Sequence, residues 1–273
     1  MESLQREAQG VKFRTMIIKR DFNYSPKGQN RQLHIYLPDD YYNSNERYPV
    51  MYFFDGHNLF YDSDATYGKS WGLKEFLDRW NKKMIIVGIE CGHDGNERIS
   101  EYLPYPCYGR YMRRFFALGS RTLEWIIWEI KPMVDREYRT YPQRECTGIA
   151  GSSMGGLMAL YGVIHHNQWF SKAACVSSAI GFCMPALMKD MKMSHISPDT
   201  RVFLSWGTLE AKGLQNVWEI DGSSNTYKRN ARVAKAFWDR GAAAKMYSQV
   251  GGGHCEADWE KQVPEFMHYL WMM

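Results

Sequence analysis

Short runs of apolar, β-branched and aromatic residues alternate along this chain with longer segments of helical character. The predicted strands are 15–20, 32–37, 49–54, 83–89, 145–150, 172–177, 201–206 and 244–250, and the predicted helices are 72–80, 120–138, 155–166, 227–241 and 257–271. The central strands are almost continuously apolar, which is typical of strands that are covered on both faces. The alternation therefore predicts an α/β fold with a mostly parallel sheet and helices on both faces.

The first two predicted strands are expected to differ from the others. The segment between them, DFNYSPKGQN, is rich in turn-forming residues, which predicts an antiparallel pair at the N-terminal edge of the sheet. We find no repeat, low-complexity segment or Pro/Gly-rich linker, and 273 residues suffice to bury one large core. We therefore expect one domain over 1–273, in which 1–14 is a candidate disordered segment. The segment 91–119 is a candidate cap-like loop, with an ordinary packed loop as the alternative.

The charge pattern and the cysteines argue against several classes of protein. The net charge is only +4, and the one basic and aromatic run, 108–116, has too few positive charges for a nucleic-acid surface. The N-terminus lacks the apolar core of a secretion signal, and no apolar run approaches the roughly 18 residues of a membrane span. The six cysteines show no CxxC spacing. We therefore expect a cytoplasmic protein that binds neither nucleic acid nor membranes.

The stretch TGIAGSSMGGLMAL, residues 147–160, places two serines among glycines between a predicted strand and a predicted helix. One interpretation is a flexible turn in which the serines add solubility. The other is a nucleophile elbow of the form G-x-S-x-G, which requires this order of strand, sharp turn and helix. In the elbow Ser153 is the exposed nucleophile at the carboxyl end of the sheet, and Ser152 occupies the x position.

A serine nucleophile needs a base and a carboxylate that orients the base. His254 follows the glycine run 251–253 and precedes the last predicted helix, so it is the candidate base. Glu210, just after the strand 201–206, is the candidate acid, and Asp221 is its rival. Asp199 precedes that strand and is expected at the wrong edge of the sheet.

The oxyanion of a tetrahedral intermediate needs two hydrogen-bond donors. The backbone amide of Met154, directly after the nucleophile, is one candidate. The second candidate is the amide of His57, because the predicted strand 49–54 leads into the Asp55-Gly56 turn. A plain Asp-Gly turn is the alternative interpretation.

The motifs YFFDGHNLF, GSSMGG, WGTLE and GGGHCEADW, in that order, resemble the putative-esterase family of α/β-hydrolases over roughly residues 15–271. This family includes esterase D-type enzymes, feruloyl, acetyl xylan and enterochelin esterases, and mycolyltransferases. The resemblance implies an α/β-hydrolase fold and hydrolysis of small carboxylic esters through an acyl-enzyme, without a metal or another cofactor. Carried over by position, it makes Ser153 the nucleophile, His254 the base and Glu210 the acid, with the amides of His57 and Met154 as the oxyanion hole.

One departure from the family pattern keeps the identity of the acid open. The stretch between Glu210 and His254 is longer than is usual in the family, and KGLQNVWEIDGSSN resembles an insertion. Asp221 lies in this stretch and stays an alternative acid.

The substrate is less constrained than the chemistry. Trp71, Trp206 and Trp259 lie near predicted strand ends or near His254 and are candidate substrate contacts, with plain core packing as the alternative. The partner is expected to be a small-molecule ester, and the aromatic surplus is compatible with a homodimer. The alternatives are an acyltransferase with the same triad and a non-catalytic binding protein of the same fold. A metallohydrolase is disfavoured, since 61–68 offers carboxylates but no histidine pair stands at ligand spacing.

Overall fold

The computed structural model of the chain describes residues 16–106, 115–210 and 224–272. Its centre is one eight-stranded sheet with the strand order β1-β2-β4-β3-β5-β6-β7-β8. The strands are β1 (Met16–Tyr24), β2 (Gln29–Leu37), β3 (Val50–Phe54), β4 (Ile85–Ile89), β5 (Thr147–Ser152), β6 (Lys172–Val176), β7 (Arg201–Gly207) and β8 (Ala243–Gln249). Each predicted strand has a counterpart in this sheet, with shifted ends.

The N-terminal edge of the sheet is antiparallel, as predicted. β1 pairs with β2 through a turn that includes Gly28, and β2 runs antiparallel to β4, with Leu33 opposite Ile89. The pairs from β4 through β8 are all parallel. The predicted α/β-hydrolase fold, with a mostly parallel sheet and helices, is confirmed.

The helices agree with the sequence less closely than the strands do. They are α1 (Leu73–Leu77), α2 (Glu97–Glu101), α3 (Gly119–Trp125), α4 (Lys131–Glu137), α5 (Met154–His165), α6 (Met184–Met193), α7 (Asn225–Trp238) and α8 (Glu256–Trp271). A single π-helical turn, Ile126–Ile130, joins α3 to α4 where one regular helix was expected. None of the described helices combines the length and the apolar character that crossing a bilayer requires.

Two helices were not predicted from the sequence. α2 is five residues long, too short to show a helical period. α6 carries a usable signal, because its buried residues Met184, Leu187, Met188 and Met191 recur at helical spacing and Pro185 lies in its first turn. The segment 91–106, part of the candidate cap-like loop 91–119, contains α2 and the buried residues Tyr102 and Leu103. Residues 107–114 of that loop lie outside the described residues, as do 1–15.

The core lies on both faces of the sheet, because side chains alternate along each strand. In β3, Tyr52 and Phe54 join the cluster that contains α3, α5 and α6. Met51 and Phe53 join the cluster on the other face, which contains α1 and α8. Since both faces are covered, the central strands are buried along their length and hold their ends in fixed positions.

Candidate active site

The parallel strands β3, β5, β6 and β7 end at one edge of the sheet, which we call the carboxyl edge. Three described non-glycine residues have positive φ angles: Asp55 (59°), Ser153 (57°) and Ser177 (45°). Each comes directly after a strand of this edge, namely β3, β5 and β6. Backbone conformations of this kind cost of order 1–3 kcal/mol each and cluster at functional sites. The three strained residues therefore mark the carboxyl edge as the candidate functional edge of the sheet.

Ser153 forms the sharp turn between β5 and α5 that the sequence predicts. Its φ and ψ are 57° and −118°, and its amide donates to Val176 O at 2.9 Å. The turn is so tight that a Cβ added to Gly151 would lie 2.6 Å from the carbonyl carbon of Gly155. A Cβ added to Gly155 would lie 2.9 Å from Cβ of Phe54, so neither glycine of the G-x-S-x-G pattern has room for a side chain.

The glycine-rich loop that carries His254 packs against the end of β7. A Cβ added to Gly207 would lie 2.3 Å from the carbonyl oxygen of Gly252, so backbone meets backbone here. Leu209 N donates to Gly252 O at 2.8 Å, which ties the loop to the segment just after the strand. This contact brings His254 beside Glu210.

The carboxylate of Glu210 is held by the fold on one side and faces His254 on the other. Its Oε1 accepts hydrogen bonds from Ser177 Oγ at 2.6 Å and from Gly207 N at 2.8 Å. Its Oε2 lies 3.3 Å from His254 Nδ1. Trp259 supports both groups, because its Nε1 donates to Ser177 Oγ at 2.9 Å and its ring meets the His254 ring edge-on at 5.0 Å. Since Nδ1 faces the carboxylate, Nε2 of His254 is the nitrogen left for a substrate or a nucleophile.

Ser153 and His254 line the same cavity of about 420 Å³. The other residues that line it are mostly polar: Asp55, Asn58, Tyr67, Arg98, Ser152, Cys255, Glu256 and Trp259. A cavity of this volume lies in the range typical of small-molecule sites.

The two predicted oxyanion donors lie at the carboxyl edge. Met154 is the first residue of α5, where the backbone amides have no acceptor within the helix and the helix dipole favours negative charge. His57 lies in a short 3₁₀ turn after β3, in which Asn58 N donates to Asp55 O at 2.9 Å. The roles of both amides stay predictions.

Arg98 is a residue of this site that the sequence did not single out. Its Nε and Nη2 donate to Oδ1 and Oδ2 of Asp55, both at 2.7 Å. Burial alone would raise the pKa of Asp55, but the charge and the hydrogen bonds of Arg98 outweigh it and lower that pKa. Asp55 N also donates to the buried hydroxyl of Tyr102 at 3.1 Å. The turn that precedes the His57 amide is therefore anchored by two residues of the segment 91–106.

Glu256 is a second such residue. It lies at the start of α8, lines the cavity and is 5% exposed. Burial and the neighbouring Asp55 raise its pKa. Its sequence signal was weak, because an acidic residue in the first turn of a helix is ordinary.

The three tryptophans predicted as substrate contacts take different places. Trp259 lines the cavity. Trp71 is 3% exposed and packs against Trp259, with ring centres 5.8 Å apart, so it lies in the layer behind the cavity. Trp206 is 2% exposed and its ring packs against Tyr227. Burial favours core packing for Trp71 and Trp206. The alternative acid Asp221 lies outside the described residues, so the geometry supports Glu210 without testing its rival.

Comparison with known proteins places this chain among ester hydrolases. The model of the family described as Putative esterase matches residues 25–270. The protein YbbA of Bacillus subtilis is 25% identical over 194 residues, which cover 70% of this chain and 73% of YbbA. Esterase Rv1288 of Mycobacterium tuberculosis is 30% identical over 154 residues, which cover 56% of this chain but only 30% of that protein.

The fold has counterparts among solved structures. An IroE-like serine hydrolase from Shewanella oneidensis superposes with a TM-score of 0.73 over 94% of this chain and 80% of that one, at 20% sequence identity. At 20% identity, this similarity shows a shared fold only. The shared fold agrees with the sheet order and the crossover helices described above.

Proposed function

The chain belongs to the Putative esterase family and is a carboxylic ester hydrolase, and on that premise we propose that it cleaves small acyl esters with Ser153, His254 and Glu210 as its triad. The observation that carries the proposal is the strained Ser153 turn in the same cavity as a histidine whose Nδ1 faces a carboxylate. A nucleophile, a base and a group that orients the base are the three parts that acyl transfer needs.

The proposed reaction follows from these positions. His254 Nε2 takes the proton of Ser153 Oγ as that oxygen attacks the ester carbonyl, and Glu210 stabilises the resulting imidazolium. The amides of Met154 and His57 donate to the oxyanion. The carbonyl–alkoxy bond then breaks, and the alcohol leaves with the proton from His254. Water, deprotonated by His254, attacks the acyl-enzyme and releases the acid and free Ser153.

The cavity argues for a small acyl group. Its volume of about 420 Å³ leaves little room beyond a short aliphatic or single-ring acyl chain, and exposed Tyr67 at its wall offers one aromatic surface. The polar atoms of Arg98, Asn58 and Glu256 line the remainder and favour an oxygen-rich substrate.

The test is a panel of p-nitrophenyl esters and methyl hydroxycinnamates, hydrolysed by the wild type, Ser153→Ala and Ser152→Ala. We expect Ser153→Ala to lower kcat/KM by at least about 10⁴-fold, because triad residues act as a unit. Ser152→Ala, the matched control in the same cavity, should retain activity within about tenfold.

Covalent labelling makes the assignment independent of the choice of substrate. A fluorophosphonate should add one adduct to the wild type, on Ser153, and none to Ser153→Ala. Hydrolysis or labelling that persists in Ser153→Ala would exclude Ser153 as the nucleophile. Product analysis with added alcohols measures how much acyl group passes to an acceptor other than water.

A further inference from the structure

Three potential metal ligands meet beside the proposed oxyanion turn. Glu90 directly follows β4, His93 lies three residues further on, and His57 lies in the turn after β3. One ring nitrogen of each histidine and one carboxylate oxygen of Glu90 all lie within 4.8 Å of one another. The two imidazole rings meet edge to face, with their centres 4.7 Å apart.

A separate observation concerns the hydrogen bonding of His57. Its side chain is 6% exposed, and its Nδ1 is buried without a hydrogen-bond partner among the described residues. Its other nitrogen, Nε2, lies 2.9 Å from Thr66 Oγ1. A buried polar nitrogen without a partner costs free energy unless something binds it. When Nε2 carries the ring proton and donates to Thr66, Nδ1 presents a lone pair, which is the form that binds a metal ion.

Glu90 is held by contacts with two histidines. Its Oε1 lies 2.7 Å from Nε2 of buried His34, and its Oε2 lies 3.4 Å from Nε2 of His93. A hydrogen bond from a neighbouring side chain is the usual way in which proteins orient a metal-ligating carboxylate.

We propose that His57, Glu90 and His93 form a binding site for Zn²⁺ or a similar divalent transition metal, separate from the Ser153–His254–Glu210 triad. Two imidazoles and one carboxylate are a ligand set that Zn²⁺ prefers, with a fourth position left for water. Tetrahedral Zn²⁺ with bonds of about 2.0–2.1 Å holds its ligands roughly 3.3 Å apart. The Glu90–His93 distance fits this already, and His93, with its side chain 55% exposed, can turn to complete the site.

The metal would tie together two loops that already touch through the His57 and His93 rings. One is the turn that carries the His57 amide, and the other is the loop 90–93 that follows β4. The site would therefore brace the proposed oxyanion turn without supplying a ligand to the substrate.

The experiment measures metal binding by the full chain after chelator treatment and removal of the chelator. Zn²⁺ titration by calorimetry should give one equivalent per chain, and Co²⁺ should show the visible absorption of a tetrahedral site. At free Zn²⁺ of about 100 times Kd, the Tm of the wild type should rise by about 5 °C. His93→Ala should weaken binding by at least about tenfold and, at the same free Zn²⁺, reduce the Tm shift to about half or less.

His195→Ala is the matched control, because His195 is exposed and lies in the connection before β7, at the opposite edge of the sheet. It should bind Zn²⁺ as the wild type does. Glu90→Gln should weaken binding as His93→Ala does, and His93→Ala, at an exposed position, keeps the test valid if Glu90→Gln fails to fold. Absence of saturable binding in the wild type, or equal binding by His93→Ala and the wild type, would overturn the proposal.

Discussion

Two Arg–Asp pairs lie at opposite edges of the central sheet and differ in what surrounds them. At the carboxyl edge, Arg98 uses two nitrogens to bind both oxygens of Asp55, whose side chain is 6% exposed. At the amino edge, where β5, β6 and β7 begin, Nη1 of Arg144 lies 2.6 Å from both oxygens of Asp199, whose side chain is 47% exposed. The same two residue types thus serve a buried turn in one place and a solvated surface in the other.

The polar groups around the two pairs differ in the same way. At the amino edge Asn167 is 4% exposed, and its amide donates to Val163 O and Thr200 Oγ1 while it accepts from Ser197 N. Both side-chain polar atoms of Asn167 therefore have protein partners. At the carboxyl edge the strained residues Asp55 and Ser153 line an open cavity. Hence we expect changes at the amino edge to alter stability alone, and changes at the carboxyl edge to alter activity.

After Ser153→Ala, the largest effect is expected from Glu210→Gln. The amide can still accept from Ser177 and Gly207, but it cannot stabilise a protonated His254 as a carboxylate does. We expect kcat to fall by about 10³- to 10⁴-fold with little change in the urea midpoint, by analogy with the acid of other triads. Steady-state kinetics on the best ester of the panel and urea unfolding monitor the two quantities.

Asp221→Asn separates Glu210 from its rival acid. It should leave kcat within about threefold of the wild type if Glu210 is the acid. The reverse result, a large loss in Asp221→Asn and a small one in Glu210→Gln, would transfer the role to Asp221.

Asp55→Asn tests the comparison between the two Arg–Asp pairs directly. Asparagine tolerates the left-handed conformation of residue 55, so the substitution removes the charge and keeps the backbone geometry. We expect a loss of about 2 kcal/mol in the free energy of unfolding at pH 7, because the buried carboxylate loses its charge while Arg98, one-third exposed, is still partly solvated. A slightly displaced turn should also lower kcat/KM by about 10- to 100-fold. Asp199→Asn, the matched control, should cost at most about 1 kcal/mol and leave activity unchanged.

The stability difference between the wild type and Asp55→Asn should depend on pH in a defined direction. The pKa of Asp55 is lower in the folded chain than the value of about 3.9 in an unfolded chain, so its ionisation stabilises the fold. The stability difference between wild type and Asp55→Asn should be constant above about pH 5 and should shrink as the pH falls through the folded pKa. Urea unfolding at a series of pH values measures it. A difference that grows on acidification would contradict the role assigned to Arg98.

The sequence predicted the parts of this molecule that depend on local pattern. The central strands are covered on both faces, so they read as apolar runs and were all found. Ser153, His254 and Glu210 each follow a predicted strand of one parallel sheet, which is enough to place them at one edge. The glycines that flank Ser153 also predicted the sharp turn at that residue.

The parts that were missed depend on contacts between distant segments. Arg98 meets Asp55 across 43 residues, and His93 lies 36 residues after His57, so no spacing rule relates them. A metallohydrolase was disfavoured because no histidine pair stands at local ligand spacing, and that rule does not detect residues brought together by the loops after two neighbouring strands. The π-helical turn at Ile126–Ile130 likewise has no signature in the apolar pattern.

Asn167→Ala, at the amino edge, is expected to lower stability and leave activity nearly unchanged. The change leaves Ser197 N and Thr200 Oγ1 with fewer partners in a buried place and removes one of the two acceptors of Arg144 Nη2. Loss of several such bonds, partly offset by water, should cost about 2 kcal/mol of unfolding free energy. Because the site lies at the amino edge, kcat/KM should stay within about twofold of the wild type. Urea unfolding and ester hydrolysis on one preparation measure the unfolding free energy and kcat/KM. A drop in kcat/KM as large as that of Asp55→Asn would show that the two edges of the sheet are functionally coupled.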